Sequence, residues 1–391
     1  MRAGSINSRR LLAALVVALL LVPQGAALAH KKHRSKSAKP ATATMIGKGE
    51  GHLDLLAWRG YAEDAWVKPF EKNTSCKLNI RYAGSAEEMV GAMRLGGHGV
   101  VDLVSVPAEA TQALIDRREV KPLNMALIPA WTDFFPPLQS PAFNTAKGVH
   151  WGLSYQWGPN TLMWNAAKIK HAPISWAALY DPKYRDHIAI PDTPFSIADA
   201  ALYLMRAQPG LKIKDPFELD ARQMKAVEDV LRKQRPLVRR YWMLAEQEIT
   251  LFKSARAVIG VGGPYQTELL KTAGIQVAET IPVEGATAWA DSWMLAGKAK
   301  HVNCAYLWLQ WTATPQVQAA QAIFFGETPA NAHACKEMEA LKSGSCRHYR
   351  ADGSGLAKLR FQRAPQKRCA QGRKACLDLA AWREAWSRIK Q

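Results

Sequence analysis

The sequence predicts an α/β fold with mainly parallel sheets, divided into about two lobes. Two observations carry that expectation. Short apolar, strand-like runs alternate with helix-like stretches along most of the chain, the pattern of strands joined by helical crossovers. The 391 residues, 48% of them hydrophobic, exceed what one core ordinarily needs and suit two.

The first 29 residues predict a secretory signal peptide: Arg2, Arg9 and Arg10, then an apolar run, then Ala27-Leu28-Ala29 as a small-residue cleavage site. No cysteine stands at that point, so a lipid anchor is not expected, and no later apolar run is long enough to span a bilayer. Residues 30–48, rich in Lys, Ser, Ala and Thr, read as a disordered basic leader, and the histidines of His30-Lys-Lys-His33 as part of a solvated tail.

The folded body opens with a strand at 53–58, a helix at 65–72 and a strand at 78–82. Ser85 and Glu88 have the spacing of a capping box, starting a helix that Gly96-Gly97 closes. A strand over 100–106 and a helix over 108–116 follow. Residues 151–165 read as one extended passage interrupted at Gly158-Pro159, a candidate crossing between lobes. After a short strand at 188–190 come a helix over 196–206 and a second one capped by Asp220 and Gln223, with Met224, Val227 and Leu231 as its apolar stripe. A strand at 257–261 runs into Gly262-Gly263-Pro264-Tyr265, where a helix begins. Its glycine pattern lacks the third glycine of a dinucleotide fingerprint, so no nucleotide cofactor is expected. Helices over 304–312 and from Pro315 to Gly326 precede a cysteine-stapled tail that ends in an amphipathic helix, 377–389.

The stretch 284–295 carries the clearest chemical signal. Trp289 and Asp291 stand two apart, so in a strand both side chains leave the same face, one an indole and the other a carboxylate. An ammonium over an indole gains roughly 0.5–2 kcal/mol, and a charge-assisted hydrogen bond to a carboxylate exceeds a neutral one. That pair suits an organic cation. The plain alternative is a packed tryptophan beside a capping aspartate. Aromatic residues also gather at predicted strand ends and loops, namely Trp58, Tyr61, Trp157 and Tyr265, where open α/β sheets bind ligands.

Six cysteines, all beyond the signal, argue for disulfides in an exported chain. Cys335–Cys346 and Cys369–Cys376 are the local choices, leaving Cys76 and Cys304 to join distant parts. The formal net charge of +19 invites a nucleic-acid reading. The basic residues are scattered, however, with no compact basic and aromatic motif, so no nucleic-acid partner is expected. The sequence holds no His-Glu-x-x-His, Gly-x-Ser-x-Gly or phosphate-cradling motif, and no catalytic residue, metal site or cofactor is assigned.

Trp58-x-x-Tyr61, Asp102-Leu103-Val104, Tyr155-Gln156-Trp157-Gly158, Trp289-Ala290-Asp291-Ser292 and Glu327-Thr328-Pro329-Ala330-Asn331 follow one another in an order that resembles the periplasmic spermidine/putrescine-binding proteins. The likeness covers roughly residues 51–331. It implies a two-lobed periplasmic-binding-protein fold of type II, crossed twice by the chain, with a ligand cleft between the lobes. Carried over, lobe 1 is 51–153 plus 292–326, and lobe 2 is 154–291 plus 327–391 with the tail. Cys76 and Cys304 then both fall in lobe 1, and a bridge between them staples its two separate pieces.

On the same resemblance Trp58, Tyr61, Trp289 and Asp291 pack on or neutralise a polyamine. The family pattern is not followed everywhere. Its serine and tyrosine after the Asp-Leu-Val strand stand as Pro107 and Glu109, and its second-lobe acids fall near Thr193 and Ser196, with only Asp192 nearby. A tryptophan after the 257–261 strand gives way to the glycines and Tyr265. Glu109 is then a candidate substitute acid, and Trp157 and Tyr265 complete the set.

The implied protein is a monomeric, periplasmic binding component of an ABC importer that closes on a small cationic solute and docks a membrane permease. It is not an enzyme. The alternatives are a zwitterion or anion held by the Gly262-Gly263 backbone and Arg59, a periplasmic sensor, and a secreted carboxylate-dependent enzyme.

Overall fold

The computed structural model describes residues 42–96, 100–369 and 375–391. The signal peptide and the His30–His33 segment lie outside the described residues. Two sheets form the two lobes. In the larger one the order is Thr328–Pro329, Leu153–Pro159, Ala286–Ala296, Leu103–Pro107, His52–Trp58 and Lys77–Ala83, with Val120–Lys121 and Leu359–Phe361 also pairing with Ala286–Ala296. The three strands joined by helices run parallel, with Leu55 opposite both Ile80 and Leu103. Ala286–Ala296 runs antiparallel to Leu103–Pro107 and to Leu153–Pro159, because it returns from the other lobe.

The smaller sheet has the order Val238–Trp242, Ile188–Pro191, Ile259–Gly262, Thr161–Asn165, Val277–Thr280. Four of its strands run the same way, and Thr161–Asn165 alone is antiparallel to both of its neighbours. Burial explains the composition of the strands. Leu103–Pro107 and Ile259–Gly262 are buried along their whole length, as central strands covered on both faces are, whereas the edge strand Lys77–Ala83 alternates exposed and half-buried positions.

The chain passes between the sheets at Asn160 and again over 281–285. These crossings hold each other: the Asn160 backbone N–H donates to Thr287 O at 2.9 Å, and its side-chain amide to Thr287 Oγ1 at 2.6 Å. Local signals close the helices. Asp220 and Gln223 form a reciprocal capping box at Ala221–Gln234, and Pro315–Phe325 starts on proline and stops on Gly326 at φ 74°.

All three expected disulfides are present. Cys76–Cys304 spans 228 residues and ties the start of the Lys77–Ala83 strand to the helix Val302–Thr312.

Several expected boundaries differ from what is observed. The lobe boundaries expected at 153/154 and 291/292 lie instead at Asn160 and 281–285, because Leu153–Pro159 and Ala286–Ala296 pair with each other over their length in the larger sheet. Residues 42–48, expected in the leader, rest on the body: Asn124 donates to Ala43 O at 3.0 Å, and Gly47 N to Asn303 Oδ1 at 2.7 Å. The segment after 326 is shared rather than confined to the second lobe. Thr328–Pro329 and Leu359–Phe361 join the larger sheet, while the helix Leu379–Lys390 packs on Ala221–Gln234. Short strands found unpaired backbone beside Leu153–Pro159 and Ala286–Ala296, which sequence spacing did not signal.

Candidate functional site

The carboxyl ends of the parallel strands converge where the chain crosses between the lobes, as ligand sites of α/β sheets do. There a cavity of about 360 Å³ is walled by Trp289, Phe325 and Glu327 on one side and by Trp242, Tyr265 and Gln266 on the other. The backbone of Gly158–Asn160 and Gly262–Pro264 completes it. Two glycines let the aromatic walls approach. Trp289 lies across Gly158, where a Cβ would stand 2.6 Å from its Cζ2. Gly326, at φ +74°, keeps the space that Tyr265 occupies, 3.0 Å from where a Cβ would be.

Behind Glu327 stands a polar group with no base in it. The Tyr61 hydroxyl donates to Asp291 Oδ2 at 2.5 Å and lies 3.5 Å from Glu327 Oε2. Tyr61 is itself fixed by edge-on rings, Tyr155 and Phe325, each 5.4 Å away between centroids. Burial drives the Asp291 carboxyl up to about 7; the Tyr61 hydrogen bond draws it down, and the field of Glu109 adds to the rise. Glu327 keeps partial exposure through the cavity, yet burial and then Asp291 hold its carboxyl well above the usual range. Burial likewise lifts Glu109 to about 7. It sits in the first turn of Ala108–Asp116, whose capping residue Pro107 pairs with Asp291 across the sheet. Neighbouring buried carboxyls do not all ionise in a low-dielectric site without a cation.

The expected residues therefore divide. Trp289 and Tyr265 line the cavity, Tyr61 and Asp291 form its polar back wall through Glu327, and Glu109 reaches that group through its field. Trp58 is half-buried, packs on two core clusters and does not line the cavity; its indole nitrogen has no hydrogen-bond partner among the described residues.

Trp157 is corrected outright. It is fully buried, donates to Pro329 O at 2.9 Å and packs on Phe361. Successive residues of a strand face opposite ways, so when Gly158 meets Trp289, Trp157 must enter the core. Arg59 lies over the Tyr82 ring at 4.9 Å and does not line the cavity. The contributions of Glu327, Phe325, Trp242 and Gln266 were not anticipated. Glu327 alone had a signal, as the acid opening the Glu327-Thr328-Pro329 motif.

Among the described residues, two other groups have metal-ligating composition. Asp54, Asp102 and His301 bring their ligand atoms within 4.8 Å. Asp102, however, accepts the backbone N–H groups of Asp54, Lys300 and His301, so it clamps the approach to Val302–Thr312. Glu218 lies beside Cys369 and Cys376, whose sulfurs are joined to each other.

The model of the bacterial extracellular solute-binding protein family matches residues 65–343. The chain is 24% identical to the putrescine-binding periplasmic protein PotF of Escherichia coli over 284 residues, 68% of this chain and 74% of that one. It is 21% identical to the putrescine/agmatine-binding protein of Pseudomonas aeruginosa, over 73% and 80% of the two chains. Among solved structures, the spermidine/putrescine ABC transporter substrate-binding protein PotD of Streptococcus pneumoniae shares the fold with a TM-score of 0.71 at 16% identity, over 87% of this chain and 98% of that one. With a matching family model over most of its length and a two-lobed fold with a cavity between the two sheets, the chain belongs to the bacterial extracellular solute-binding proteins.

Proposed function

We propose that this protein is the periplasmic binding component of an ABC importer and that its solute is a small organic cation of the polyamine class. The single observation behind the cation is the buried Asp291–Tyr61–Glu327 group, which makes no ion pair among the described residues although the chain carries a net charge of +19. An ammonium entering between these acids restores their ionised form, and the indole of Trp289 and ring of Tyr265 supply flanking π faces. The lobes close because ligand contacts from both sides exist only in the closed form. The closed form docks a membrane permease as a monomer and returns the solute unchanged, so the protein is not an enzyme. The relatives that bind putrescine or agmatine by name support the same class. The zwitterion alternative required both Asp291 and Arg59, and Arg59 is stacked on Tyr82.

The test is thermal unfolding of the mature protein against polyamines, amino acids, betaines and small anions, since native-state binding raises apparent stability by mass action. Polyamines raise Tm by several degrees on this reading. A rise with amino acids or anions alone moves the solute out of the cation class.

A further inference from the structure

The amino ends of the parallel strands, at the opposite end of the larger sheet from the cavity, bring together metal-ligating side chains from three separate parts of the chain. His52 and Asp54 stand two apart at the start of His52–Trp58, so both leave the same face of that strand. Asp102 immediately precedes Leu103–Pro107, and His301 precedes the helix Val302–Thr312. The His301 ring meets all three. Its Nδ1 lies 2.7 Å from Asp102 Oδ2 and 3.7 Å from Asp54 Oδ2, and its centroid is 6.3 Å from that of the exposed His52 ring.

This geometry is close to that of a metal site. Ligand atoms of Asp54, Asp102 and His301 fall within 4.8 Å of one another. Neighbouring ligand atoms of a tetrahedral zinc ion, with bonds of about 2.0–2.2 Å, stand roughly 3.3–3.6 Å apart, and the separations of 2.7 and 3.7 Å bracket that spacing. Both carboxylates are also held from behind. Asp102 Oδ1 accepts the backbone N–H groups of Lys300 and His301, and its Oδ2 accepts that of Asp54. Asp54 Oδ1 accepts the Asn79 side-chain amide at 2.8 Å, which leaves Oδ2 for the His301 side. Outer contacts of this kind orient the ligands of metal sites. Lys121 lies in the field of Asp102, yet neither acid forms an ion pair with Lys or Arg among the described residues.

We propose that Asp54, Asp102 and His301 bind a zinc ion, with His52 as the fourth ligand. His301 Nδ1 releases its proton to solvent and takes the metal in place of its hydrogen bond to Asp102, and the ligand atoms move by about 0.5 Å to reach bonding distance. The ion fastens the helix Val302–Thr312 to the starts of two strands. It does so beside the Cys76–Cys304 bridge, whose Cys304 belongs to the same helix. The site is separate from the cavity and independent of what the cavity binds.

Calorimetric titration of ZnCl2 into the mature protein, stripped of metal with EDTA, reads the site, with thermal unfolding as a second readout. His30 and His33 are replaced by alanine in every sample, so that the leader supplies no ligand. This parent protein takes up one zinc per chain and gains several degrees in Tm, whereas MgCl2, an ion that prefers oxygen ligands alone, does neither. Asp54→Asn and His301→Ala each weaken zinc binding about tenfold or more and abolish the gain in Tm, and His52→Ala weakens it less. Asp54→Asn keeps an oxygen for Asn79 and the Asp102 clamp, so it decides the matter if His301→Ala does not fold. Absence of zinc binding by the parent, an equal response to MgCl2, or unchanged zinc affinity in folded Asp54→Asn overturns the proposal.

Discussion

Asp192 follows the strand Ile188–Pro191 and Asp291 lies midway along Ala286–Ala296, and each receives a hydrogen from an aromatic residue, yet their surroundings differ. Asp192 accepts Trp386 Nε1 at 2.8 Å and the Lys390 ammonium at 2.6 Å, both from the C-terminal helix. Asp291 accepts the Tyr61 hydroxyl at 2.5 Å and has a second carboxyl, Glu327, beside that hydroxyl where a base would otherwise stand. In the first region the chain supplies its own cation, and the acid holds a helix in place. In the second the acids have no basic partner among the described residues. A carboxyl already paired is architecture; on the proposed function, one packed against aromatic rings and other acids is arranged for a cation from outside.

Substitution separates the two roles. Asp291→Asn should weaken polyamine binding by about 2–5 kcal/mol, the range for removing one partner of a buried charged pair, read by calorimetry. Asp192→Asn should leave that affinity within about threefold. Equal losses in the two variants would erase the distinction. Replacing Cys76 and Cys304 together by serine should lower unfolding stability by about 2–4 kcal/mol in denaturant titration, because the bridge closes a 228-residue separation, without changing selectivity.

The pH response is next in size. In the folded, ligand-free protein Asp291 and Glu109 hold protons up to about 7, whereas in the unfolded chain they lose them in the ordinary carboxylate range. The stability these groups contribute is full at low pH and is lost as pH rises towards about 7. A bound cation favours the ionised form, so affinity should change the opposite way. It should rise with pH through the same window by up to about tenfold per unit for each proton released, and the slope should flatten in Asp291→Asn. Calorimetry from pH 5 to pH 8 checks both trends. The smallest effect is expected for Lys390→Ala, about 1 kcal/mol or less of stability by thermal unfolding, since the pair it breaks is partly exposed.

Much of this architecture was legible in the sequence, for physical reasons that also mark where legibility ended. Strand and helix alternation, the Asp220 capping box and the Pro315 start are local signals and sit where they were expected. Cysteine spacing pointed to the two local disulfides, while Cys76–Cys304 followed only as the remaining pair and from the family resemblance. Within the site, Trp289 was readable from its place on a strand, and Tyr265 from its position at a strand end. Trp157 misled because the same strand-end reasoning ignored its neighbour: Gly158 takes the cavity side of the strand, which sends Trp157 to the core. Glu327 was legible only as the acid that opens the Glu327-Thr328-Pro329 motif; its place beside Tyr61 and Asp291 was not, since it lies in what the residue meets. Tyr61 and Glu327 are 266 residues apart. No periodicity records such encounters.

The most direct measurement is calorimetric titration of putrescine into the mature protein at pH 8, with the wild type and Asp291→Asn side by side. The account predicts saturable binding by the wild type and a loss of about 100-fold in the variant. Equal affinity in the two proteins would contradict the assignment of Asp291 as the ammonium partner.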